Sequence, residues 1–453
     1  MTNQQGHGAA MPRPRGSCGA RSGVVSGFRF PDSAEVRCSM SSLSDTVSTQ
    51  FLGLAPFLRR SIQGEDLQSL AEPWIERAQA EPDNAVMWMN LATLMLCLGQ
   101  RDLGLTIQAQ ALAMQRHYRW PAARQPAALR VLLLTAPGDL AANMPLDCLL
   151  EDSDVDLEYY FVMPTDASEE TPLPEHDLAI VAMSDSDANR ASLEAMQPVV
   201  ADWPRPVLNT PEAILNTERE RASQLLQGVR GLNMPPTRPV TADTLATIAA
   251  GETDLAAIDP GIEFPVILRP RDSHGGHGLA RLADREALAA YLDDSEHSDF
   301  LISPFIDYRD ADGLYRKYRV VLVDGEPFAS HMGISSDWMI HYLNAGMYED
   351  ADKRAGEAAW MASFDTFADQ HHAALKAIDE RAGLDYVCID CAQTADGELL
   401  VFEIGNAMVV HAMDSAELFP HKQEHMAKVQ TAFRALLEQR VQEDQAAIAS
   451  ESA

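Results

Sequence analysis

The run Tyr386-Val387-Cys388-Ile389-Asp390-Cys391 and the run Leu399-Leu400-Val401-Phe402-Glu403 read as strands, and Asp396-Gly397 lies between them. Asp-Gly in that setting is the dipeptide that most favours a two-residue hairpin turn. Such a turn sets Ala395 against Glu398, and five pairs further back it sets Asp390 against Glu403. Like charges directly opposed on a strand pair destabilise it by roughly a few tenths of a kcal/mol or more. A bound cation reverses that sign. Two carboxylates with Asn406 nearby make a hard, oxygen-rich set suited to Mg²⁺ carrying phosphates. A register one residue off turns one acid to solvent instead.

Positive charge to meet phosphates is scarce. The 453-residue chain has 67 acidic and 35 basic residues, a formal net charge of −32. Its lysines are Lys317, Lys353, Lys376, Lys422 and Lys428, so a phosphate site must draw mainly on arginine. Val266-Ile267-Leu268-Arg269-Pro270 reads as a buried strand with a basic end, followed by Ser273-His274-Gly275-Gly276-His277-Gly278. That Gly-rich loop can offer backbone N–H groups to phosphate oxygens, though a plain flexible turn reads equally well. It matches neither a Walker loop nor a dinucleotide fingerprint.

In Tyr315 to Asp324 the alternation puts Lys317 and Arg319 on one strand face. Cations clustered there suit phosphates or a developing acyl phosphate; the plain alternative is a solvated charged strand. The Asp324-Gly325 turn sets His331 against Tyr318 and away from Arg319, which leaves His331 a minor substrate candidate. His341 and Asn344, in an apolar-aromatic segment, line an acceptor pocket or belong to a packed edge. His411 reads as a surface histidine. Cys388-x-x-Cys391 lacks a second ligand pair at zinc spacing, so two buried strand cysteines are expected.

The period of the apolar pattern divides the chain. Residues 1–45 read as a disordered tail, the first 39 carrying a net +3 as a tail or an upstream start extension. Residues 46–125 are helical. Trp74, Asn90-Leu91-Ala92 and Leu98-Gly99 within them resemble a tetratricopeptide repeat, or a generic helical hairpin. Residues 126–212 alternate strands with helices, an αβ domain with a parallel sheet. Residues 213–442 hold the basic strands and the acidic hairpin, with helices over Pro211–Val229, 355–382 and 422–441; 443–453 read as a frayed tail. The class is α/β. No run of eighteen apolar residues occurs, which argues against a membrane span. The start lacks the apolar core of a secretory signal, so the cytoplasm is expected. A surface this acidic repels a phosphate backbone and disfavours nucleic acid as a partner.

A basic-ended strand, a Gly-rich loop, a hinge, a basic strand and an acid–acid–Asn hairpin occur in that order. This order resembles the ATP-grasp superfamily, in particular its RimK-like carboxylate–amine ligases, over roughly residues 128 to 440. The resemblance implies ATP and Mg²⁺ as cofactors, and a carboxylate activated as an acyl phosphate before a nucleophile displaces phosphate. It implies Asp390, Glu403 and Asn406 as metal ligands. Arg269 and Arg219 (or Arg221) stand at the phosphate-binding positions where the family usually has lysines. Ser273, His274, Gly275 and Gly276 belong to the lid, and Pro304, Phe305 and Ile306 to the adenine hinge. Arg319, with Lys317 beside it, matches the group that steadies the transferred phosphoryl. The longer Glu403-Ile404-Gly405-Asn406 spacing calls for a bulge at Gly405. Small-molecule or peptide carboxylates and amines are the implied substrates, with a peptide or protein partner on the helical module. The rival readings are a nucleotide-binding scaffold and a phosphotransferase on the same fold.

Overall fold

The computed structural model describes residues 47–163, 173–271, 273 and 275–451. The expected tail at 1–45 and His274 of the Gly-rich loop lie outside them.

Helices α1 (Ala55–Ile62), α2 (Ala71–Ala80), α3 (Ala85–Cys97) and α4 (Arg101–Met114) form the first layer. Asn84 starts α3 by accepting the Met87 N–H at 3.1 Å. This helix is apolar nearly all round, and such a helix must be covered on both sides. Met87, Leu91 and Leu94 pack among the helices, whereas Ala85 and Met89 pack on the first sheet. The module therefore shares a core with the domain that follows it.

The first sheet comprises β1 (His117–Trp120), β2 (Leu129–Thr135), β3 (Val155–Phe161), β4 (Leu178–Val181) and β5 (Val207–Leu208), in the order β1-β3-β2-β4-β5. Pairs among β2 to β5 are parallel, as the alternation with α5 (Leu146–Leu149) and α6 (Asp187–Ala201) predicts. The antiparallel edge strand β1 falls inside the stretch expected to be helical. Its alternation is only four residues long, with Tyr118 and Trp120 buried and Arg119 outward beside Asp156.

The helix expected over Pro211–Val229 is two: α7 (Pro211–Leu215) and α8 (Arg219–Leu225). Glu218 divides them, accepting the Arg221 N–H at 2.8 Å as the cap of α8. After β6 (Leu232–Asn233) comes an antiparallel sheet of β7 (Arg238–Thr241), β8 (Val266–Pro270), β9 (Ala280–Leu282) and β10 (Asp299–Pro304), ordered β7-β10-β8-β9. Together with α9 (Ala242–Ala249) and α10 (Arg285–Asp294) it encloses a core of its own, built on Leu245, Ile248, Leu268, Leu288 and Phe300.

The third sheet has β11 (Tyr315–Val323), β12 (Glu326–Ser335), β13 (Tyr386–Gln393) and β14 (Leu399–Gly405), ordered β12-β11-β13-β14-β6. Val320, Leu322, Val387 and Ile389 on one face share a core with Met361, Phe364, Leu375 and Ile378. Those four side chains come from α11 (Ala351–Ala362), α12 (Phe364–Gln370) and α13 (His372–Ala382), which break the single helix expected over 355–382. Val321, Val323, Tyr386 and Cys388 on the other face pack with the first sheet and with α14 (Pro420–Glu451). Helix α14 runs ten residues past its expected end and takes in most of the expected frayed tail. Cys388 and Cys391 are free and buried, the plain strand reading. Among the described residues no helix is long and apolar enough to cross a membrane.

Candidate active site

Asp390 does face Glu403, but two irregularities produce the pairing instead of one regular hairpin. Thr394 donates its N–H to the Glu398 carbonyl at 3.0 Å, so Ala395 to Gly397 form a three-residue loop. Gly397 takes φ +85°, the left-handed conformation that such a loop requires. The longer loop shifts the register by one. A bulge at Phe402, between the Cys391–Val401 and Asp390–Glu403 pairs, shifts it back. Gly405 pairs regularly with Cys388, so the bulge expected there is absent.

The β11–β12 hairpin has the expected two-residue turn, with Asp324 at φ 51° and Gly325 at φ 81°. Ser330 then bulges out, and His331 pairs with Arg319. The expectation that His331 opposes Tyr318 and points away from Arg319 is therefore wrong. A bulge one residue before it flips the side that it presents. His331, Arg319, Asp390 and Glu403 consequently form one row of opposed positions across four adjacent strands.

The row is charged and internally compensated. Arg319 grips Asp390 with two bonds, Nε to Oδ1 at 2.7 Å and Nη2 to Oδ2 at 3.0 Å, and Lys317 Nζ lies 2.6 Å from Oδ2. Asp390 is 1% exposed. Burial opposes its charge, but Arg319 and Lys317 outweigh burial and hold the carboxyl far below the usual range. Burial likewise opposes ionisation of Glu403, and chiefly Arg219, which bonds it, brings it down to about 2. Burial, with Arg219 close by, pulls Arg269 down to about 10, so it stays charged at neutral pH.

Beside this row lies a cavity of about 220 Å³. Arg219, Arg269, Lys317 and Glu403 give its lining charge, and Pro304, Phe305, Ile306 and Val401 give it apolar surface. Gly275 and Gly276 border it, as does His341. Gly276 has φ +77°, and a Cβ on it would come within 2.6 Å of His341 Nε2, so the loop lies directly against that ring. Arg269 holds Ser273, its Nε donating to Oγ at 3.2 Å. Phe305 donates its N–H to the Pro265 carbonyl at 2.9 Å and carries the Arg281 guanidinium 4.2 Å above its ring. Arg221, the alternative to Arg219, is exposed and does not line the cavity.

Other candidates lie elsewhere. Asn344 is exposed and shapes a local turn, its Oδ1 accepting the His341 N–H at 2.9 Å. Asn406 is buried, and its amide donates to the Met183 carbonyl at 3.0 Å, tying the end of β14 to the first domain. His411 is half-buried rather than fully on the surface: burial takes it down to about 4, and its Nδ1 accepts the Met413 N–H at 3.1 Å.

Sequence reasoning missed a buried cluster below the row. Lys422 Nζ lies 2.9 Å from Asp414 Oδ2, 2.5 Å from the Tyr342 hydroxyl and 3.5 Å from Glu357 Oε1. Glu357, fully buried, also accepts the Met332 N–H at 2.9 Å. The available signal was a lysine opening an amphipathic helix in a chain with so few.

The donor chemistry bears on a metal. Asp390 and Glu403 offer hard oxygens, as Mg²⁺ requires, and Asn406 keeps only its Oδ1 to give. Among the described residues no three His, Cys, Asp or Glu side chains converge as a ready-made metal cluster. The set therefore fits a cation that arrives already coordinated by phosphates better than it fits a bare ion.

No protein-family model matches the chain, and no curated protein does. Solved structures align with it at low identity. VanG, the D-Ala:D-Ser ligase from Enterococcus faecalis, is 12% identical with a TM-score of 0.41, over 68% of this chain and 98% of that one. A RimK domain ATP-grasp protein from Sphaerobacter thermophilus is 18% identical with a TM-score of 0.38, over 69% and 99%. The ATP-grasp ligase PsnB, complexed with a precursor peptide and AMPPNP, is 14% identical with a TM-score of 0.38, over 69% and 99%.

Proposed function

We propose that this chain is an ATP-grasp ligase that activates a carboxylate as an acyl phosphate and couples it to an amine. The observation that carries the reading is the cavity. Three cations, Arg219, Arg269 and Lys317, surround Glu403 in its wall, and Pro304, Phe305, Ile306 and Val401 add apolar lining. That mixed lining matches a nucleotide, with its base toward Phe305 and its phosphates toward the arginines.

In this reading Arg219 and Arg269 bind phosphate oxygens, and the backbone of Gly275 and Gly276 covers them and excludes water. Lys317 and Arg319 offset the negative charge that develops as the γ-phosphoryl moves to the substrate carboxylate. Asp390 and Glu403 would hold Mg²⁺, which when bound neutralises phosphate charge. The acceptor is a small molecule or a peptide, and helices α2 to α4, the repeat-like module, offer a place for a peptide partner to dock.

A second reading, a nucleotide-binding scaffold, is favoured by one feature: both oxygens of Asp390 are already engaged by the chain's own cations. One experiment separates the two. ADP release is measured with MgATP and a panel of amino acids and short peptides. The ligase reading expects substrate-dependent release in wild type and a loss of about a hundredfold or more in Asp390→Asn and Glu403→Gln. Tight MgATP binding without release across the panel supports the scaffold.

A further inference from the structure

The row of four has a nucleotide end and a free end. Glu403 lines the cavity, whereas His331 stands three strand spacings away, roughly 14 Å at about 4.8 Å per strand. His331 rests against Tyr342, with ring centroids 4.7 Å apart and the planes tilted by 45°. The Tyr342 hydroxyl is fixed in turn by Lys422 at 2.5 Å and by Glu357 at 3.2 Å. No described residue hydrogen-bonds either ring nitrogen of His331.

His331 is half-buried rather than sealed, so ring nitrogens left without a protein partner are open to a ligand or to solvent. The ring packs against Tyr342, and neither of its nitrogens is spent on a described residue. The charged groups around it are Arg319 and Lys317 from β11, Asp390 from β13 and Lys422 from α14. Burial and the three cations outweigh the one carboxylate and keep the imidazole neutral at pH 7. Arg319 stands between His331 and Asp390, at the position where the acyl phosphate would be steadied.

We propose that His331 is the proton acceptor for the incoming amine, with Tyr342 positioning it. The amine nitrogen attacks the acyl carbon and the C–N bond forms. The bond from that carbon to the phosphate oxygen breaks, and inorganic phosphate leaves. The surplus proton on nitrogen passes to His331 and then to solvent. This role rests on the ligase reading, and it goes further by assigning the acceptor to the β12 side of Arg319.

The test uses the full-length chain with MgATP and an equimolar mixture of the twenty amino acids as carboxylate and amine source. Coupled product is measured in parallel with the hydroxamate formed on adding hydroxylamine, which attacks an acyl phosphate without a protein base. His331→Gln is expected to form hydroxamate within about twofold of wild type, yet to lose coupling by about a hundredfold. The residual coupling should lack the decline that wild type shows as the pH is lowered and its imidazole protonates. Coupling that persists in His331→Gln, or that falls in step with the hydroxamate, overturns the role. Wild type that releases no ADP overturns the ligase reading itself, and the proposal with it.

Discussion

Asp390 stays ionised where burial alone would neutralise it, because Arg319 takes both carboxylate oxygens and Lys317 takes one. The fork of Arg319 matters as much as its charge. Arg319→Lys keeps the charge and loses the paired bonds, so ADP release should fall at least about tenfold and stability by about 1–2 kcal/mol in urea melts. Lys422 presents the opposite balance, one buried ammonium between Glu357 and Asp414. Lys422→Met leaves two carboxylates without their cation and should cost about 3–5 kcal/mol in the same assay. A variant that melts with wild type would mean the two acids are neutral in the folded chain.

The hairpins show how much of the site was legible in the sequence. The Asp324-Gly325 turn and the strand assignments could be read because Asp-Gly and β-branched runs are local signals. The bulges at Ser330 and Phe402 have no such signal, since each arises from how neighbouring strands pack. One of them put His331 on the unexpected side. The other brought Asp390 and Glu403 together after the Thr394–Glu398 closure had displaced them. Similarly, the breaks at Ser363 and His371 divide a helix whose apolar periodicity runs through both. The four-residue β1 follows α4 with no breaker residue to mark it. Gly397 supplies a check at this scale. Gly397→Ala forces a side chain into the left-handed region and should cost about 1 kcal/mol, with ATP affinity unchanged because the loop lies off the cavity.

At the scale of the whole molecule, acid stability combines two kinds of group. His411 is held neutral down to about pH 4, whereas an unfolded histidine protonates near 6.5. Between those values the unfolded chain binds the extra proton, so this contribution is full above about pH 6.5 and falls away toward pH 4. Glu403, at about 2, has a depressed folded value. Its contribution is full above about pH 4.3 and is lost as the pH falls toward 2. Denaturant melts should therefore lose stability in two stages, the first amounting to a few kcal/mol at most. His411→Gln should remove only its share of the first stage, because His331 is held neutral as well, and should leave the second.

Helix α14 spans 32 residues, roughly 48 Å at about 1.5 Å each. Arg434 fastens it to Asp154 of the first domain, and Arg440 fastens it to Asp324 and Asp385 beside the third sheet. In mechanical terms it braces those two parts into a frame. The lobe of β7 to β10 has its own interior and meets the first domain through the Arg271–Asp187 ion pair. In the ligase reading it is the jaw, and opening and closing over a nucleotide falls to that lobe and its glycine loop. Amide exchange on adding AMPPNP should slow there, while the braced frame exchanges as before.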